Sequence, residues 1–97
     1  MNGIKKVTSK LHDTVTYTDA EERHEVSICH IGNYYFGWYY VEEEENSYLG
    51  RTAEGKSLET VIATLEQFAR EDFGLRYGRA EEVIDLLEKV LAVYPRD

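Results

Sequence analysis

Three groups of residues in this chain have types and spacings that could do chemistry. The first is an acidic run, Glu42 to Glu45, directly behind Tyr39, Tyr40 and Val41. Carboxylates spaced along a strand or loop can occupy a groove built for phosphates and steer association electrostatically. Tyrosines beside them add rigid area with a polar tip. The second group is His12, His24, His30 and Cys29, residue types that ligate metals or serve as base and nucleophile. The third is Gly50-Arg51-Thr52-Ala53-Glu54-Gly55-Lys56-Ser57, which fits the literal pattern of a phosphate-cradling loop.

The second and third groups are expected to be structural. His24 and His30 sit six residues apart on one strand-like segment, about 20 Å at the rise of a strand, too far for one metal ion. Nothing in the spacing of His12 requires it to join either. Cys29 has no base on its own strand face and is expected to be a buried structural thiol. The phosphate-loop pattern needs a parallel sheet with crossover helices. The antiparallel hairpins expected here cannot supply one, and Glu54 would aim a carboxylate at the phosphates. A turn followed by a helix cap is the expected structure. No GxGxxG or GxSxG occurs. No catalytic residue, metal ligand or cofactor-binding residue is assigned, and the chain is expected not to be an enzyme.

The elements that position these residues follow from periodicity. Val15 and Tyr17 alternate with Thr14, Thr16 and Thr18, as in a half-buried strand. Asp19 to Glu22 turns into a second strand, Arg23 to Ile31. After Gly32-Asn33 a third runs from Tyr34 to about Glu43, and Tyr48 to about Ala53 suggests a short fourth. Leu58, Val61, Ile62, Leu65, Phe68 and Ala69 form one helical stripe behind the N-cap candidate Ser57, with Gly74 as the stop. A second helix is expected from about Arg79 to Tyr94, ended by Pro95. Strands first and helices after predict a single α+β domain over residues 1–97: an antiparallel sheet of three to four strands packed on one face by two C-terminal helices. Residues 1–12 fit either a helix or an extension of the first strand.

Gly32-Asn33 as a two-residue hairpin loop sets a register. Ile31 then faces Tyr34, Cys29 faces Phe36, Ser27 faces Trp38 and Glu25 faces Tyr40, all on one side of the sheet. His30 with Tyr35, Ile28 with Gly37, Val26 with Tyr39, and His24 with Val41 share the other side. Phenylalanine, tryptophan and free cysteine lose most by staying wet. On that ground Cys29, Ile31, Phe36 and Trp38 are expected beneath the helices. Val26, Ile28, Tyr35, Tyr39, His24 and His30 would then face outwards, and Val26, Ile28, Tyr35, Tyr39 and Val41 would offer a dimer face.

Composition narrows the function classes. The 97 residues hold 11 Lys and Arg against 19 Asp and Glu, for a formal charge of −8, with 42% hydrophobic residues and a single cysteine. That is too apolar for a disordered chain and too poor in cysteine for a disulfide scaffold. No signal peptide or membrane span is visible, so a cytoplasmic protein is expected. The charge argues against direct nucleic-acid binding and against anionic membranes. The acids concentrate between residues 19 and 48, where Asp19, Glu21, Glu22, Glu25 and Glu42 to Glu45 face only Arg23. The same stretch holds Tyr34, Tyr35, Trp38, Tyr39, Tyr40 and Tyr48. In size, charge and aromatic content the chain is similar to small acidic phage proteins that inhibit restriction or CRISPR nucleases. That similarity implies a partner with a basic groove. The contact residues would be Glu21, Glu22, Glu25, Tyr39, Tyr40, Glu42, Glu43, Glu44 and Glu45. The alternative is a self-associating structural or regulatory module.

Overall fold

A computed structural model of the chain describes residues 5–9, 11–44, 47–73 and 79–94. Five strands form one antiparallel sheet in chain order: β1 (Lys5–Ser9), β2 (Thr14–Thr18), β3 (His24–Ile31), β4 (Tyr34–Glu44) and β5 (Ser47–Gly55). Two helices follow, α1 (Leu58–Phe73) and α2 (Arg79–Val93). They lie against each other and cover one face of the sheet, α1 on β4 and β5 and α2 on β2 and β3. The α+β class is as expected. The additional strand is β1, which the N-terminal sequence left open between helix and strand, and a 3-10 turn at Leu11–Asp13 joins it to β2.

Local chemistry explains the boundaries. Gly32 takes a φ of +60° at the first central position of the β3–β4 turn, where an L side chain would be strained. The turn fixes the whole hairpin: Ile31 pairs with Tyr34, and every pair out to His24 with Val41 keeps the expected register. Ser57 caps α1, its hydroxyl accepting from the Thr60 amide at 3.2 Å and its carbonyl accepting from Val61 at 3.2 Å. Glu59 sits in the first turn of α1, and Glu81 and Glu82 in that of α2, where the helix dipole favours carboxylates. The expected stops at Gly74 and Pro95 lie outside the described residues. Gly50 to Gly55 is extended strand paired with β4, so the phosphate-loop pattern forms no loop.

The register is as expected, but the sheet faces are reversed. Val26, Ile28, Tyr39 and Val41 are fully buried beneath the helices, with Val15, Tyr17, Leu58, Val61, Leu65, Val83 and Leu87 around them. Ile31 is exposed, and Phe36 and Trp38 are only partly covered. The cause lies in the neighbouring strands. The β2–β3 register sets Val15 beside Ile28 and Tyr17 beside Val26, continuing one aliphatic surface across three strands. It also sets Thr16 beside Ser27 and Thr18 beside Glu25, and helices on that side would have sealed hydroxyls and a carboxylate away from water. Gly37 adds a hollow on the aliphatic side. A Cβ there would collide with Ile28 Cδ1 and come within 3.0 Å of Leu65 Cδ1 and Val61 Cγ1, so glycine lets α1 settle close to the sheet.

Candidate protein-binding face

With both helices on one side, the other side of β2 to β5 is left without a covering layer among the described residues. Its side chains are Thr14, Thr16 and Thr18; Glu25, Ser27, Cys29 and Ile31; Tyr34, Phe36, Trp38, Tyr40 and Glu42; and Tyr48, Thr52 and Glu54. The β2 and β3 portion is low, and the buried Thr18 hydroxyl on it has no hydrogen-bond partner among the described residues. Ser27 is fully buried, its hydroxyl 2.7 Å from that of Thr16. Cys29 is buried as well, and burial pushes its thiol above the ordinary value. That agrees with a structural role, although the cysteine lies opposite the helices.

Beside this floor the aromatic side chains of β4 and β5 stand as a ridge. Phe36 and Trp38 tilt against each other with ring centroids 5.8 Å apart, and Tyr40 and Tyr48 do the same at 5.7 Å. Tyr34, Tyr40 and Tyr48 expose 49%, 43% and 58% of their surface, and Ile31 exposes 45%. Several large, exposed apolar groups on one flat face differ from the scattered single residues of an ordinary surface. Carboxylates border the ridge. Glu25 accepts from the Trp38 indole N–H at 3.3 Å, which holds the indole plane. Glu42 pairs across strands with Tyr48, and Glu54 with Phe36. The described side chains of β2 to β5 on this face include no lysine or arginine; Arg23 reaches its margin, 3.8 Å from Glu42.

The proposed contact residues divide between several locations. Glu25, Tyr40 and Glu42 come together on the open face. Glu44 is exposed just past an irregularity in the β4–β5 register, and Glu43 is half-buried beside it. Glu21 and Glu22 are exposed in the β2–β3 turn, where Glu22 takes a φ of +59°. Glu45 lies outside the described residues.

Tyr39 is a correction. It is fully buried on the helix side, and its hydroxyl donates to Asp72 Oδ2 at 2.8 Å. Arg51 clamps the same carboxylate through Nε at 3.0 Å and Nη2 at 2.8 Å, and its guanidinium lies 4.6 Å over the Phe68 ring. The Arg51 hydrogen bonds hold Asp72 below its ordinary pKa. Burial, then the Asp72 carboxylate, pushes Tyr39 far above its own. This trio ties β4 and β5 to α1, and Tyr39 within it has no surface left for a partner.

The dimer face is a second correction. Val26, Ile28 and Val41 have no exposed surface, because they form the floor on which the helices rest. Tyr35 is half-buried, stacked on His30 at 4.3 Å and edge-on to Tyr94 at 5.8 Å. His24, expected to face out, is buried on the helix side.

Sequence reasoning missed two groupings. Phe36, Trp38 and Ile31 were placed in the core, although the Thr14-Thr16-Thr18 alternation, carried across to β3, marks their face as the polar one. The second is the meeting of Asp19, His24 and Glu82, whose side-chain ligand atoms all lie within 4.8 Å of one another. No local spacing signals it, because Glu82 arrives from α2.

Comparison with family models, with curated proteins and with solved structures returns no significant match.

Proposed function

We propose that this chain is an interaction protein that seats its open sheet face on a basic surface of a larger, nucleic-acid-processing protein and blocks it. The observation that carries the reading is the uncovered aromatic ridge of Phe36, Trp38, Tyr40 and Tyr48 bordered by Glu25, Glu42 and Glu54. Aromatic anchors supply the desolvated centre that holds a contact together, and peripheral carboxylates supply steering and selectivity for a basic partner. The net charge of −8 acts in the same direction over longer range. No catalytic step is assigned to the chain, and the reading puts its action in the cytoplasm of a phage-infected or bacterial cell. No helix among the described residues is long and apolar enough to cross a membrane.

Self-association through this face fits less well. A two-fold contact would set this face, whose described side chains on β2 to β5 carry Glu25, Glu42 and Glu54 but no lysine or arginine, against a second face of the same charge, which opposes such a dimer. The test uses two variants that leave the helix-side core intact. Tyr40→Ser with Tyr48→Ser removes the exposed ring pair, and Glu25→Gln with Glu42→Gln removes rim charge. Both should keep the wild-type circular dichroism and melting temperature within a few degrees. The ring-pair variant should lose at least tenfold in affinity for the partner, as truncation of a central anchor commonly does, and the rim-charge variant should bind more slowly and with a flatter salt dependence. Wild-type affinity in both variants would refute the reading.

A further inference from the structure

We propose that Asp19, His24 and Glu82 form a binding site for one divalent transition-metal ion, Zn2+ or a cation of the same borderline class, that joins the β2–β3 turn to α2. His24 is the first residue of β3 and its side chain is 8% exposed. Its Nδ1 points at two carboxylates at once, 2.8 Å from Asp19 Oδ2 and 3.1 Å from Glu82 Oε2. One ring nitrogen carries at most one hydrogen, so a single proton stands between two anions. Nε2, on the far side of the ring, is buried with no hydrogen-bond partner among the described residues, so the ring's polar contacts all lie on the Nδ1 side. A divalent ion on the Nδ1 side takes the neutral ring as ligand and neutralises both carboxylates. The ring keeps one proton throughout: the proton passes from Nδ1 to Nε2 as the ion takes the Nδ1 lone pair, so the ligand stays neutral.

The ligands are also held in advance. Asp19 Oδ1 accepts from the Arg23 amide at 2.7 Å and the His24 amide at 3.2 Å, which orients the carboxylate and turns Oδ2 towards the ring. Such outer contacts set ligand direction in metal sites. Glu82 comes from the first turn of α2 and is the more exposed ligand, with 55% of its side chain accessible. One imidazole nitrogen and two carboxylate oxygens suit zinc-class cations, with a remaining position for water. Calcium asks for six to eight oxygens and magnesium for a near-octahedral oxygen shell, and neither fits three mixed donors. The positive end of α2 opposes a cation, so micromolar rather than nanomolar affinity is expected. The site lies on the helix side and is separate from the aromatic ridge.

The test is calorimetric titration of the chelator-stripped full chain with ZnCl2, followed by melting with and without the ion. One equivalent should bind, the melting temperature should rise with free Zn2+, and millimolar Mg2+ should leave it unchanged. Co2+ should give visible absorption bands that Zn2+ abolishes. Glu82→Gln, at an accessible position, should fold normally and bind Zn2+ at least tenfold more weakly, as should Asp19→Asn. No saturable binding to the wild-type chain would overturn the proposal. So would unchanged affinity in both variants, which would assign the zinc to other ligands.

Discussion

Two carboxylates in this protein show how neighbours decide what a charge does to the fold. Asp72 is held below its ordinary pKa of 3.8 by Arg51. A carboxylate with a depressed folded pKa stabilises the fold fully above the unfolded value and ceases to do so as pH falls through the folded one. Acid unfolding of the wild-type chain should therefore include a component below pH 3.8 that is missing in Asp72→Asn, as fluorescence titration can check. Asp72→Ala goes further. It leaves the Tyr39 hydroxyl buried without an acceptor and should cost about 1–3 kcal/mol in urea unfolding. Glu66 behaves in the opposite way: burial, then Glu88 on α2, raises its pKa. A raised carboxylate favours the fold only while protonated, so its contribution falls as pH rises past the ordinary value of 4.5. Glu66→Gln should raise the melting temperature at pH 7 and leave it nearly unchanged near pH 4. The sequence made neither pairing legible, since Asp72 meets Arg51 only when α1 packs on the sheet and Glu66 meets Glu88 only when α1 packs on α2.

At the scale of elements, local chemistry was legible and the choice of face was not. Gly32-Asn33 determined the hairpin register residue by residue, and the Leu58-to-Ala69 stripe with Ser57 in front of it located α1. These signals are contained in a few neighbouring residues. Which side of β3 and β4 met the helices depended on β2 and on Gly37, and the size of Phe36 and Trp38 was a misleading guide. A large ring can sit half-covered on an open face when its alternatives are aliphatic residues that mesh with a helix. Gly37→Ala tests the packing directly. Its methyl would push against Ile28, Val61 and Leu65, and the overpacking should cost about 1–3 kcal/mol by chemical denaturation. Ser57→Ala removes the α1 cap and should cost about 1 kcal/mol in the same measurement. Neither change should alter the open face.

Over the whole molecule, a two-layer arrangement leaves one broad side of β2 to β5 uncovered among the described residues, and aromatic rings and carboxylates stand there rather than a uniformly polar surface. The acidic-aromatic coincidence was visible in the sequence between residues 19 and 48. Its division was not: Tyr39 went inwards while Tyr40 stayed out, because period-two alternation assigns neighbours to opposite sides. Glu25 and Glu42 joined the ridge, whereas Glu21 and Glu22 remained apart in the turn. The measurement that tests the proposed role most directly is capture of a partner by the tagged chain across a salt series, with and without excess duplex DNA. A carboxylate-led contact in a nucleic-acid groove weakens steeply as salt screens it and is displaced by DNA. Capture of a nucleic-acid enzyme that is lost at high salt and under DNA competition is the predicted result. Capture indifferent to both, or a self-complex strengthened by salt, would contradict it.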